Sequence, residues 1–348
     1  MKVGVASVKQ PNPCAVAPAL SADRVPRGNP EFVFLFPWFL IHLVETTEPP
    51  TLRSPRVRRW LGHLWREWTT ESWRPIAPAF AKSEPSKWRD AQVTAAWIGH
   101  ATVLINFFGI KILTDPVLFP RIGIRLPGLT IGPKRLTAPA LEFHELPKID
   151  IILLSHAHFD HFDLQTLHCF DENTSVITAP KTRDLLRRTR LRDITELRWG
   201  EMKSLRTPAG AIAIIALRVN HWGARKQRDT YRGYSGYLLE RNGRRILFAG
   251  DTALTNSFAD LRKHAPIDLA IMSIGAYNPW IRSHCTPEQA IEMANAAGAQ
   301  FIMPVHHQTF RLSFEPLREP IERFKSALQR EPERIALREI GETFVLPL

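Results

Sequence analysis

The stretch SHAHFDHFD at 155–163 packs three histidines and two aspartates into nine positions, directly behind the apolar run Ile151-Ile152-Leu153-Leu154. Four branched aliphatic residues followed by a polar, histidine-rich segment read as a buried strand that ends in a loop. Residues i and i+2 of an extended chain project to the same side, so His156 and His158 can grip one ion together. Asp160 and His161, one turn further on, can face a second ion beside it. Imidazole nitrogen and carboxylate oxygen suit zinc, and also iron or manganese. A histidine-rich loop can equally be a cluster of surface caps, and the rest of the chain has to decide between the two.

From about residue 93 onward, short apolar runs alternate with turns. The pattern predicts strands at 93–99, 102–107, 110–115, 149–155, 175–179, 212–220, 234–240, 244–251, 269–274, 301–306 and 342–347. The clearest helix runs from Thr286 to about Ala299, with Thr286 and Gln289 as a capping box and Pro287 in the first turn. No repeat or linker divides this region, so 93–348 reads as one mixed α/β domain behind an N-terminal extension, 1–92. Three further ligand-type residues close predicted strands: His221 after ALRVN, Asp251 after RRILFAG and His306 after FIMPV. Active sites of α/β sheets collect at the carboxyl ends of strands, where the loops converge. Four such ends carrying metal-binding side chains point to a two-metal site.

These residues carry a resemblance. The chain resembles the metallo-β-lactamase superfamily in its HxHxDH segment and in the later His221, Asp251 and His306. Within that superfamily it is most similar to the N-acylphosphatidylethanolamine-hydrolysing phospholipase D group and its bacterial relatives. The stretches concerned are WIGHATVLI, LTDP, ELPKIDIILLSHAHFDH, NHW, FAGDT, GAYNPW with SHCTPEQA, and PVHHQTF. The resemblance implies an αβ/βα four-layer sandwich. It implies His156, His158 and His221 on a first divalent ion, Asp160, His161 and His306 on a second, and Asp251 between them, with zinc the first choice of metal. It places His284 beside the reacting group, orienting substrate or protonating the leaving group, and it makes Asp251 catalytic as well as a ligand. Asp115 in LTDP would orient a ligand histidine. His100 reads as structural first, His307 as an exposed or supporting imidazole, and Cys285 as a bystander, since a metal site supplies its own nucleophile.

Two ions lower the pKa of a shared water to about 7 and stabilise charge on the attacked group, which serves phosphorus and carbonyl centres alike. The expected function is therefore a metal-dependent phosphodiesterase of the phospholipase D type. The alternatives are a lactonase or other carbonyl hydrolase, and a membrane-associated binding protein with an inherited metal site. The net charge of +12 favours an anionic small-molecule or lipid substrate. Nucleic acid is not expected, because the basic residues are interleaved with acids and form no dedicated arm. Three scattered cysteines in no CxxC spacing give no disulfide framework and fit a reducing, cytoplasmic setting. In the extension, the apolar run 33–45 is shorter than the roughly 20 residues a span needs. Behind it, Val57, Trp60, Leu61, Leu64, Trp65 and Trp68 form one helical stripe. That stripe reads first as a helix docked on the domain, and second as peripheral membrane contact through 31–70.

Overall fold

In a computed structural model, residues 73–347 are described apart from 127 and 227. The apolar run 33–45 and the tryptophan-bearing stripe lie outside these residues. Fifteen strands are described, in chain order β1 (Val93–Gly99), β2 (Thr102–Phe107), β3 (Ile110–Thr114), β4 (Ile124–Leu126), β5 (Leu129–Ile131), β6 (Ile151–Leu154), β7 (Ser175–Thr178), β8 (Ile194–Glu196), β9 (Met202–Thr207), β10 (Gly210–Leu217), β11 (Gly236–Arg241), β12 (Arg244–Phe248), β13 (Ile267–Ser273), β14 (Ala299–Val305) and β15 (Thr343–Val345). The α-helices are α1 (Leu164–Leu167), α2 (Pro287–Ala296) and α3 (Glu319–Ala327).

Two sheets form the body. One has seven strands in the order β15-β1-β2-β3-β6-β7-β8, and the other has six in the order β14-β13-β12-β11-β10-β9. Side-chain alternation explains why they stack. Ile246, Phe248, Leu269, Ile271, Met303 and Val305 of the second sheet join Ile105, Leu113, Ile152 and Ile177 of the first in one buried core. The intervening Leu247, Ala270 and Met272 face the other way and form a second core with Ile291, Met293 and Ala294 of α2 and Phe324 of α3. A period of two thus gives β12, β13 and β14 two apolar faces, one for the partner sheet and one for helices. Among the described residues, no helix is long and apolar enough to cross a membrane.

The capping box predicted for α2 is present, with Thr286 Oγ1 accepting from Gln289 N and the Gln289 side chain accepting from Thr286 N. Residues 73–92 are tied to the domain through Ala77 N to Leu136 O and Ala81 N to Ile340 O, and Ser83 Oγ donates to Gly341 O. Several expectations are corrected. The strands behind His221 and Asp251 end at Leu217 and Phe248, so these side chains sit on loops a few residues beyond them. β8, the polar edge strand β9, the β4–β5 hairpin and α3 were not foreseen.

Candidate metal centre

β3, β6 and β7 run parallel, as do β12, β13 and β14. Their carboxyl ends therefore present the loops that follow on one edge of the two sheets. Asp115 follows β3, the HxHxDH segment follows β6, Asp251 lies beyond β12, His284 beyond β13, and His306 directly follows β14. The approach is close enough to demand glycine at two places. A Cβ on Gly250, whose φ is +61°, would meet Ser155 Cβ at 2.8 Å, and one on Gly275 would meet His306 O at 2.3 Å. His100, Asp115, Ala276, His306 and Gln308 all adopt positive φ around this edge. Each such conformation costs about 1–3 kcal/mol and persists only where the surroundings over-determine it.

The side chains converge in two clusters. In the first, His156 Nε2 lies 2.8 Å from His158 Nδ1. His221 Nε2 lies 3.2 Å from the former and 3.3 Å from the latter. In the second, His306 Nε2 is 3.1 Å from His161 Nε2 and 3.4 Å from Asp160 Oδ2. Asp251 stands between them. Its Oδ2 is 3.0 Å from His161 Nε2, 3.2 Å from His306 Nε2, 3.9 Å from His156 Nε2 and 4.0 Å from His221 Nε2. Ser273 Oγ donates to its other oxygen at 2.9 Å. His284 completes the group, with Nδ1 3.8 Å from Asp251 Oδ2. All eight residues singled out in the sequence are brought together and buried.

The protons of these imidazoles are assigned by their far-side partners. His221 Nδ1 faces Ser283 O at 2.7 Å; a carbonyl only accepts, so Nδ1 carries the proton and Nε2 is a lone pair. His161 Nδ1 likewise faces Asp115 Oδ2 at 2.6 Å. Ser155 Oγ donates to Asp115 Oδ2 at 2.5 Å and so accepts from His156 Nδ1 at 2.8 Å. Ser155 N also donates to Asp115 Oδ1 at 2.7 Å. One buried carboxylate therefore sets the tautomer of two histidines, His161 directly and His156 through Ser155. The sequence reading had given Asp115 only one.

Lone pairs of buried imidazoles and two carboxylates thus point at one another. Such a set is stable only around positive charge. Ligands about 2.0–2.1 Å from a tetrahedral zinc would stand roughly 3.3 Å apart, close to the separations in both clusters. The residues present fit divalent metal, and each cluster qualifies as a candidate ion site.

Without metal, protons must do that work. Burial weighs against the charge on His161 and His306, but Asp251 and neighbouring carboxylates outweigh it. They hold His161 well above the ordinary imidazole range and His306 up at about 9. Burial also opposes ionisation of Asp160 and Asp251, yet His161 and its neighbours hold both well below the usual carboxylate range. His100 goes the opposite way, pushed down to about 3 by burial and by His306. A group whose folded pKa is raised stabilises fully below its unfolded value, and that stability is lost as pH climbs through the folded value. For His306 the loss falls between about 6.5 and 9. His100, lowered, costs stability as pH drops below 6.5. Chelator-stripped protein should therefore be most stable near pH 6.5 and lose several degrees of Tm by pH 10. The metal-loaded form should lack that alkaline decline. A stripped protein with a flat Tm from pH 7 to 10 would remove this account of the cluster.

Two residues differ from their sequence readings. His100 is not merely structural: its Nε2 is 3.0 Å from Asp160 Oδ2, and its ring lies 4.0 Å from that of His306. His307 is neither exposed nor in a cluster; it is buried 4.5 Å from the Trp97 ring, and burial pushes it down to about 3. Trp222, the last residue of the NHW stretch, was assigned no role by the sequence, and its ring lies edge-on 4.5 Å from that of His158. Cys285 is inert as expected, buried with its thiol pushed up to about 12. The loop carrying Ser283 and His284 is held from behind, because the Glu315 carboxylate accepts from Ala276 N at 2.6 Å and Asn278 N at 3.1 Å.

The chain is similar to known proteins. Residues 111–307 match the family described as Beta-lactamase superfamily domain. The chain is 31% identical over 249 residues to N-acyl-phosphatidylethanolamine-hydrolyzing phospholipase D 1 of Caenorhabditis elegans, covering 67% of this chain and 69% of that protein. It is 32% identical over 260 residues to the mitochondrial N-acyl-phosphatidylethanolamine-hydrolyzing phospholipase D of Saccharomyces cerevisiae, covering 72% of this chain and 54% of that one. Among solved structures, Igni18, a metallo hydrolase of Ignicoccus hospitalis, superposes with a TM-score of 0.56 at 18% identity, over 74% of this chain and 99% of its own. With the fold, the histidine–aspartate clusters and these relatives in agreement, the chain belongs to the β-lactamase superfamily and is a metal-dependent hydrolase of the metallo-β-lactamase fold.

Proposed function

We propose that the chain is a binuclear, zinc-dependent phosphodiesterase of the phospholipase D type acting on an anionic, phospholipid-like substrate. The observation that carries the two-ion reading is the position of Asp251 Oδ2, 3.0 to 4.0 Å from donor nitrogens of both clusters. The substrate class is supported by the two relatives named as phospholipases D and by the net charge of +12. His156, His158 and His221 would hold one ion, and Asp160, His161 and His306 the other, with Asp251 shared. When bound, the ions supply Lewis acidity and lower the pKa of a coordinated water to about 7.

The protein's own groups do the rest. Asp115 keeps two imidazoles in the tautomer that presents a lone pair inward. Ser273 and the loops beyond β12 and β13 fix the Asp251 carboxylate, so little reorganisation accompanies reaction. His284, with Nδ1 3.8 Å from Asp251 Oδ2, would in its protonated form hand a proton to the alcohol oxygen as that oxygen's bond to phosphorus breaks.

Purified metal-loaded protein should hydrolyse bis(4-nitrophenyl) phosphate and lose that activity to chelator, while a simple lactone is turned over poorly. With a diester whose leaving group is an alkyl alcohol, His284→Ala should lower kcat by about 10²-fold, in the range for loss of a general acid, with metal content unchanged. Lactone hydrolysis without diester cleavage would reassign the reaction to carbonyl chemistry. Metal lost in step with rate in the His284 variant would make that residue a ligand.

A further inference from the structure

The seven-stranded sheet ends at β8, and the 3-10 helix Arg183–Arg188 connects β7 to β8 and packs beside β8. A cavity of about 300 Å³ opens there, lined by Arg183, Asp184, Leu186, Arg187, Leu191, Arg192 and Ile194. It lies outside the metal clusters, and no step of the hydrolysis uses it.

Its chemistry divides cleanly. Leu186 and Leu191 are buried and Ile194 partly so, giving an apolar floor. Around it stand three guanidinium groups. Among the described residues, no carboxylate lies within ion-pair distance of Arg183, Arg187 or Arg192. The single acid in the lining, Asp184, is already engaged: Arg232 Nη1 and Nη2 donate to its two oxygens at 2.6 and 2.9 Å. That fork occupies both carboxylate oxygens, while the same guanidinium donates through Nε to Asp229 Oδ2 at 2.7 Å, so Asp184 makes no ion pair with a cavity arginine. Arg192 is also pinned, with Nη1 donating to Thr189 O at 2.8 Å and Leu191 O at 2.9 Å. Part of the ordering cost of a bound anion is thereby already met.

We propose that this cavity is a second ligand site, for a small organic phosphate whose apolar part seats on Leu186, Leu191 and Ile194 while the arginines hold the phosphate oxygens. Arginine suits this role because its planar fork binds phosphate bidentately. A volume of about 300 Å³ is at the small end of ligand sites and matches a compact molecule. The apolar floor distinguishes the site from a surface that merely attracts anions.

Phenylphosphonate is a suitable probe, since it joins a dianion to an aromatic ring and its carbon–phosphorus bond resists hydrolysis. Calorimetric titration of full-length, metal-loaded protein is compared with the double variant Arg183→Gln/Arg187→Gln, which leaves the Asp184–Arg232 fork intact. Wild type should show a binding event that weakens at least tenfold in the variant, and bis(4-nitrophenyl) phosphate hydrolysis should be unchanged. Inorganic phosphate should bind at least tenfold more weakly than phenylphosphonate at this site. Phosphatidate-containing vesicles separate the two sources of such a phosphate. If they sediment wild type in preference to the variant, the head group is a lipid's; if they sediment both alike, the ligand is soluble. Equal phenylphosphonate binding by wild type and variant would place the probe at the metal centre only and overturn the site. Equal affinity for inorganic phosphate would overturn the organic ligand.

Discussion

Asp251→Asn is expected to lower hydrolytic turnover by at least about 10²-fold, the loss that follows removal of one preorganised group in a water-excluded site. Asparagine keeps the shape and can still accept from Ser273, so the fold should survive. What it removes is the charge whose Oδ2 lies 3.0 and 3.2 Å from His161 and His306 and 3.9 and 4.0 Å from His156 and His221. Asp115 also reaches one histidine of each cluster, but at the outer ring nitrogens, His161 Nδ1 directly and His156 Nδ1 through Ser155, whereas Asp251 faces the inner ones. Circular dichroism and a steady-state assay of the same preparation separate fold from chemistry. Near wild-type turnover in a folded variant would make Asp251 an ordinary turn residue and end the shared-carboxylate reading.

Elemental analysis should find close to two divalent ions per chain, and His306→Ala should retain about one. The reason is a count of donors. Seven side chains, five imidazoles and two carboxylates, exceed what one tetrahedral ion can use. His306 belongs to the second cluster through its 3.1 Å approach to His161 and 3.4 Å approach to Asp160. The first cluster, built from His156, His158 and His221, has no contact that depends on it. Removing His306 should therefore empty one site and spare the other. A single ion in wild type, with content unchanged in the variant, would reduce the centre to one metal.

The boundaries of β1 and β2 were the most legible, while those of the strands before His221 and Asp251 fell short of the prediction. Predicted strands 93–99 and 102–107 coincide with β1 and β2, because both are continuous apolar runs bounded by turns. β9, MKSLRT, was missed because an edge strand mostly facing water has neither an apolar run nor a buried face to show. α3 was missed although Ile321, Phe324 and Leu328 are buried and helically spaced, because Pro320 and four charged residues within Glu319–Ala327 obscure the stripe. His100 was misjudged for a different reason. A lone histidine after a strand carries no local sign of its partner, and Asp160 lies 60 residues away.

The sequence by itself determined the identity of the ligand-type residues and the superfamily they resemble. The spacing of His156, His158, Asp160 and His161, and the placing of His306 at a strand end, are local properties of the chain. Only the tertiary structure decided which nitrogen each imidazole presents, where Asp251 stands, and what supports the whole. The tautomers of His156 and His161 follow from Asp115, about 40 residues earlier, and that of His221 from a carbonyl 62 residues later. Those separations are bridged by parallel strand pairing and by close approaches that Gly250 and Gly275 alone permit. A proton's position depends on the partner across the gap, and that partner is chosen by packing, not by any run of neighbouring residues.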